Sequence, residues 1–218
     1  FLISDLLSGA GGSENWSERL GPGAIVLRGF ATAQAANIVA EIQQIIAQAP
    51  FRHMETPGGF RMSVAMSNCG ELGWVSDKAG YRYQAVDPDS ARPWPSLPTL
   101  FRQLATEAAA QAGFANFMPD ACLINRYEPG ARMSLHQDKD ERDLTQPIVS
   151  ISLGLPAQFQ FGGLKRSDPV SRVTLTHGDV VVWGGADRLR YHGVLALKTG
   201  DHPLLGACRL NLTFRKAI

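Results

Sequence analysis

Residues 134–141 read SLHQDKDE, which sets His136, one of only 5 histidines in the chain, beside Asp138, Asp140 and Glu141. In an extended strand successive side chains alternate faces, so His136 and Asp138 share a face while Gln137 points away. A second imidazole from a distant strand can complete the cluster, and RYHGV offers His192. Two imidazoles and a carboxylate on one side of a metal leave its other positions open. That arrangement suits non-haem Fe(II), with room for a cosubstrate and oxygen. A lone His-X-Asp is a frequent accident, and the chain holds a second one, His177-Gly178-Asp179. It stands just before VVVWGG, where a Gly-Asp pair entering a strand is ordinary turn chemistry.

The segment CRLNLTFR alternates strictly. Arg209, Asn211, Thr213 and Arg215 line one face, and Leu210, Leu212 and Phe214 line the other. As a plain sandwich strand it would turn the polar row to solvent. As part of a site, its two guanidinium forks would clamp a molecule with a carboxylate at each end. Beside an iron triad, such a clamp points to 2-oxoglutarate. Asn125 and Tyr127, same-face neighbours in INRY, could add hydrogen bonds.

The elements that must position these residues follow from pattern. AIVLRGF (24–30) reads as a strand, and a helix follows, with Thr32 as its N-cap and Pro50 as its stop. Residues 50–98 are broken by Gly and Pro and carry Met, Trp and Tyr, the composition of an irregular lid with a hairpin or two. A second helix over 100–112 ends at Gly113. From Ala121 onward short strands alternate with turn signals, which predicts an antiparallel sandwich or barrel of the jelly-roll kind. The expected fold class is α+β, a double-stranded β-helix with flanking N-terminal helices and a lid. The segments are 1–49 (strand and helix), 50–98 (lid) and 99–218 (jelly-roll core), with 24–49 packed on the core as one domain.

Composition bounds the function. At 218 residues and 44% apolar the chain can bury a substantial core. No apolar run approaches the roughly 18 residues of a membrane-spanning helix, so no bilayer partner is expected. The three widely spaced cysteines, Cys69, Cys122 and Cys208, form neither a disulfide framework nor a zinc site and read as a reducing cytoplasm. Phe1 in place of Met reads as a truncated or processed N-terminus. A formal charge of +1 supplies no global cationic field, so any nucleic-acid contact must be local.

Taken in order, PDACLINRY, SLHQDKDE, PIVSISLGLPA, FQFGGLKR, HGDVVVWGG, YHG and NLTFR closely resemble the bacterial AlkB DNA-repair dioxygenases, and the likeness reaches into the lid through TPGGFRMSVAMSNCGELGW. It covers about residues 24–216 and implies that 50–98 is a nucleotide-recognition lid and 99–218 a catalytic core. The resemblance implies iron ligands at His136, Asp138 and His192. It also implies 2-oxoglutarate contacts from Asn125, Tyr127, Arg209, Asn211 and Arg215, with Arg209 on the far carboxylate and Arg215, counted among the catalytic residues, at the end nearest iron. Met133 stands where another aliphatic residue is common. The alkylated base is implied to lie among Thr56, Met66, Trp74, Tyr81, Asp140, Glu141 and Arg166, with Tyr83 near the phosphate.

Chemistry agrees with that placement. Methylation at N1 of adenine or N3 of cytosine leaves the base cationic, which an indole face at Trp74 and a carboxylate at Asp140 would prefer to a normal base. The activity the resemblance implies is oxidative demethylation, with Fe(II) as cofactor and 2-oxoglutarate and O2 as cosubstrates, releasing succinate, CO2 and formaldehyde. Reaching the pairing edge requires single-stranded DNA or a base flipped from duplex. A monomer is expected. Two other readings stay open: the same chemistry on methylated RNA or a protein side chain, and a cupin-like module that binds a carboxylate ligand without catalysis.

Overall fold

The computed structural model describes residues 16–218. The reading of the chain's first residues as processed concerns positions outside that range. β1 (Ser17–Gly21) and β2 (Ala24–Leu27) form a hairpin. The second strand stops short of the expected Phe30 because Gly29 takes φ +64°, a turn conformation, and gives its N–H to the Asp179 carboxylate. Thr32 does not cap the next helix. It opens a single 3-10 turn (Thr32–Gln34) and its hydroxyl donates to the His177 carbonyl, so α1 (Ala35–Gln48) begins after it without a side-chain cap.

α1 buries Ala35, Ile38, Ile42 and Ile45, a spacing that places one stripe against the sheet. Each of those isoleucines contributes roughly 2 kcal/mol of apolar burial. α2 (Thr99–Gln111) buries Phe101, Leu104, Ala105, Ala108 and Ala109 and runs out into Gly113 at φ +90°. Among the described residues no helix is long and apolar enough to cross a membrane.

The remaining strands are β3 (Ala65–Gly70), β4 (Gly73–Asp77), β5 (Gly80–Gln84), β6 (Ala121–Tyr127), β7 (Met133–His136), β8 (Ile148–Gly154), β9 (Ala157–Phe161), β10 (Ser171–Leu175), β11 (Val180–Trp183), β12 (His192–Val194) and β13 (Arg209–Arg215). A seven-stranded antiparallel sheet runs β1-β2-β11-β8-β13-β6-β3 and a four-stranded one runs β10-β9-β12-β7. Two cores result. The outer one joins both helices to Val180, Val182, Leu210, Leu212 and Phe214 of the large sheet. The inner one joins Val181, Trp183, Leu123 and Tyr127 of the same sheet to Phe159, Phe161 and Val194 of the small one. VVVW is therefore an unbroken apolar run because that strand is covered on both faces. The antiparallel jelly roll predicted from strand spacing is the fold observed.

Within 50–98 the structure divides what the sequence grouped. Ala65–Gly70 is an edge strand of the large sheet, with Met66 registered against Asn125. β4 and β5 form a separate two-stranded hairpin whose register sets Trp74 opposite Tyr83 and Ser76 opposite Tyr81. The Ser76 hydroxyl donates to the Glu55 carbonyl and ties the hairpin to the preceding loop.

Candidate active site

His136 closes β7 and His192 opens β12, and the antiparallel register sets them directly opposite one another. Their ring centroids lie 4.4 Å apart. Asp138 sits past the end of β7, so strand alternation does not deliver it. A loop spanning 137–147 folds it back between the rings. His136 Nε2 then stands 3.6 Å from Asp138 Oδ1, and His192 Nε2 stands 3.7 Å from Oδ2. The three ligand atoms all fall within 4.8 Å of one another.

Hydrogen bonding decides which nitrogens can bind metal. Nδ1 of His136 faces the Ser134 carbonyl at 2.8 Å, and Nδ1 of His192 faces the Arg190 carbonyl at 3.0 Å. A carbonyl needs a donor, so each proton sits on Nδ1 and each Nε2 lone pair is free toward Asp138. His177 is the reverse case. Its Nδ1 accepts the Gly154 N–H at 3.0 Å and its ring stacks on His202. Asp179 is consumed by the backbone N–H groups of Gly29 and Thr176 and by Arg28. The turn reading of HGD therefore holds.

Burial and the neighbouring His136 push the His192 imidazole down to about 4 against the pull of Asp138, which leaves it neutral at physiological pH as a ligand must be. Burial alone would raise the Asp138 carboxyl, but Arg215, with the two imidazoles, holds it well below the usual carboxylate range.

β13 turns its polar row inward. Its whole length is buried, because Leu210, Leu212 and Phe214 meet the helices while Arg209, Asn211, Thr213 and Arg215 meet the inner face. A solvated outer face is excluded. Asn211 donates to Ser150 Oγ and the Ile151 carbonyl, and Asn125 donates to Asn211 Oδ1. Arg209 lies over the Tyr127 ring at 4.9 Å and gives Nη2 to Ser152 Oγ. Its Nε and Nη1, together with Asn125 Oδ1, are buried without a protein partner among the described residues. Unmet buried guanidinium donors are costly unless an anion meets them. The row therefore fits a carboxylate cosubstrate, and the triad's donor set of two neutral nitrogens and one carboxylate fits Fe(II). Ser150, Ser152 and Arg188, which work in this interior, carried no signal that spacing could reveal.

The residues expected around the base are partly brought together. Trp74 and Tyr81 stack at 5.5 Å with planes 13° apart, and Trp74 Nε1 donates to Asp140 Oδ2 at 2.9 Å. Asp140 is exposed, whereas Glu141 is 7% exposed and receives the Tyr83 hydroxyl on Oε1 at 2.6 Å. Tyr83 thus points at a buried carboxylate, not outward toward a backbone. Met66 is fully buried in the inner core beneath the hairpin. Thr56 closes a turn with Phe60, and exposed Arg166 lies over the Tyr191 ring at 5.8 Å.

A jelly roll holding a His-Asp-His cluster beside an inward-facing arginine row defines a class, the mononuclear iron oxygenases that use a carboxylate cosubstrate. The sequence profile of the 2OG-Fe(II) oxygenase superfamily matches residues 23–215. The alpha-ketoglutarate-dependent dioxygenase AlkB of Escherichia coli K12 is 58% identical over 205 residues, covering 94% of this chain and 95% of that protein. A DNA N(6)-methyladenine demethylase of Arabidopsis thaliana, ALKBH1C, is 32% identical over 66% of this chain and 38% of its own length. The solved structure of OsALKBH1 superposes with a TM-score of 0.81 at 30% identity, over 92% of this chain and 99% of that one. The chain belongs to the AlkB family of 2OG-Fe(II) oxygenases. It is an Fe(II)- and 2-oxoglutarate-dependent dioxygenase.

Proposed function

We propose that this enzyme demethylates alkylated bases oxidatively, with N1-methyladenine and N3-methylcytosine in single-stranded DNA as substrates, working as a monomer in the cytoplasm. One observation carries the reading: an aromatic pair and an exposed carboxylate, Trp74 bonded to Asp140, stand on the loop and hairpin next to the triad. That is a recognition surface for a flat cation. The demethylase name of the Arabidopsis relative supports a methylated base as substrate class.

In this reading His136, Asp138 and His192 hold Fe(II), while Arg209, Arg215, Asn125, Asn211 and Tyr127 hold 2-oxoglutarate. Bound there, metal and cosubstrate supply the oxygen chemistry that hydroxylates a methyl C–H bond as 2-oxoglutarate becomes succinate and CO2. The protein's own work is positioning. Arg215 keeps Asp138 ionised and aimed at the two Nε2 atoms. Trp74 and Tyr81 offer ring faces to the base, with Tyr83 and Glu141 bonded to each other and Met66 buried beneath the hairpin. Asp140 attracts the positive charge that the methyl group creates. The hydroxymethyl group then leaves as formaldehyde, the base becomes neutral, and the attraction to Asp140 falls away, which aids release. Because a methylated pairing edge no longer pairs, duplex DNA is reached by flipping the lesion, and RNA is a second substrate. With net charge near zero, affinity for short strands is modest and salt-sensitive.

The test is protein loaded anaerobically with Fe(II) and 2-oxoglutarate, then exposed to oxygen with a single-stranded oligonucleotide carrying one N1-methyladenine. Loss of one methylene mass with equimolar succinate is expected. No succinate in the presence of that oligonucleotide overturns the reading, and succinate without mass loss shifts it to RNA or protein substrates.

A further inference from the structure

The loop 137–147 carries Asp138, Asp140 and Glu141 yet contains neither strand nor helix. Its backbone carbonyls have no ladder to satisfy them and must find donors elsewhere. One side chain supplies two, and a third donor to a carboxylate of the same loop. Arg188, 3% exposed, donates Nη1 to the Asp138 carbonyl at 2.6 Å, Nε to the Gln146 carbonyl at 2.9 Å and Nη2 to Glu141 Oε2 at 2.9 Å. It pins the loop near its start, in its middle and near its end. Arg188 also stands four residues before His192, on the stretch leading into β12. The two chain segments that carry the proposed iron ligands thus meet through this guanidinium.

Charge follows the same path. Arg188 lies 2.9 Å from Glu141, Arg215 lies 3.4 Å from the other oxygen of Glu141, and Arg215 lies 2.7 Å from Asp138. Two cations and two carboxylates alternate in the interior, so Glu141 is already compensated and held by Tyr83 besides. The carboxylate left facing solvent is Asp140.

We propose that Arg188 is the positioning residue of this site, locking Asp138 to the metal and Glu141 to the β4–β5 hairpin as one unit. It touches neither metal nor base. A planar fork with three fixed donations does this; a lysine keeps the charge but cannot reproduce the geometry. The inference rests on the proposed metal ligands, and the parent chain tests those separately.

The experiment titrates Co(II), with 2-oxoglutarate present, into the full metal-free chain and into its Arg188→Lys and Arg188→Met variants, following the d–d absorption. Thermal unfolding of each is recorded alongside. Both variants are expected to bind Co(II) about 10- to 100-fold more weakly, as losses in the outer shell of a metal site do. Turnover on a cationic methylated base is expected to fall more than turnover on a neutral one, because Asp140 rides on the loosened loop. Arg188→Met also strands a buried Glu141 charge, so the double variant Arg188→Met/Glu141→Gln is included. It is expected to regain stability without regaining Co(II) affinity. A folded Arg188 variant that binds Co(II) like the parent, or a double variant that regains affinity along with stability, overturns the proposal. A parent chain that binds no Co(II) overturns the metal site itself.

Discussion

Arg215 holds Asp138 Oδ2 with two N–H groups, Nε at 3.0 Å and Nη2 at 2.7 Å, deep inside the sandwich. One carboxylate is thereby bound on one oxygen by a cation and presents the other, Oδ1, to His136. Beyond the cosubstrate contact proposed for it, Arg215 thus sets the charge state of a proposed metal ligand.

Changing Asp138 to Ala removes the ligand and strands most of the Arg215 charge. Turnover and Co(II) binding are expected to vanish while the circular dichroism of the β-sandwich persists. Stability of the metal-free protein should fall by about 3 kcal/mol, the cost of breaking a buried pair by deleting one partner. Denaturant unfolding checks the second part. Retained turnover would remove Asp138 from the ligand set.

Arg209 gives the opposite stability sign. Its Nε and Nη1 have no protein partner among the described residues, so Arg209→Met relieves a buried unpaired cation. The metal-free variant should unfold at a temperature equal to or above that of the parent. Its KM for 2-oxoglutarate should rise on the order of 100-fold, about 2 to 3 kcal/mol of lost charge-assisted bonding. Succinate production against 2-oxoglutarate concentration measures it. An unchanged KM contradicts the clamp.

Asp140→Asn keeps the size of the side chain and can still accept the Trp74 N–H, but it removes the charge. Turnover of N1-methyladenine should drop about 10-fold relative to a neutral methylated base, the scale of one modest charge interaction. Competition between two such oligonucleotides in one tube reads the ratio directly. Equal losses on both would contradict charge recognition.

The depressed His192 imidazole makes stability pH-dependent in the absence of metal. The folded value is about 4 and the ordinary one 6.5, so between these pH values the unfolded chain binds a proton that the folded one refuses. Stability is thus unaffected by this group above pH 6.5 and declines as pH falls toward 4, by about 3 kcal/mol in all. The effect should disappear in His192→Asn. Urea midpoints across that range, parent against variant, decide it.

His177 serves as the control. His177→Asn loses the bond that Gly154 N–H makes to the ring and the stack on His202. A destabilisation of about 1 kcal/mol is expected, with Co(II) affinity unchanged. Weakened metal binding would restore HGD as a candidate ligand pair.

Much of this site was legible in the chain. The strand rhythm after Ala121 and the CRLNLTFR alternation follow from residue types and spacing, whereas spacing did not choose between the two His-X-Asp pairs and the family resemblance favoured His136, Asp138 and His192. The expected reason for the His136–Asp138 pairing did not survive. β7 stops at His136, and a loop fastened by Arg188, Tyr83 and Trp74 returns Asp138 to the rings. Thr32 likewise looked like a helix cap and instead bonds across the fold to His177. In both cases a local pattern was overridden by partners fifty or more residues away, which spacing does not encode.

What the sequence determined by itself is local: period-two alternation follows from backbone geometry, so which residues share a face of β13 was settled before any fold was known. Which face lies inside, and which of two His-X-Asp spacings can bind metal, only the tertiary structure decided. Both depend on what packs opposite. The helices take Leu210, Leu212 and Phe214, which sends the arginines inward. A carbonyl beside Nδ1 of His136 and His192 frees Nε2, whereas an N–H beside Nδ1 of His177 does not.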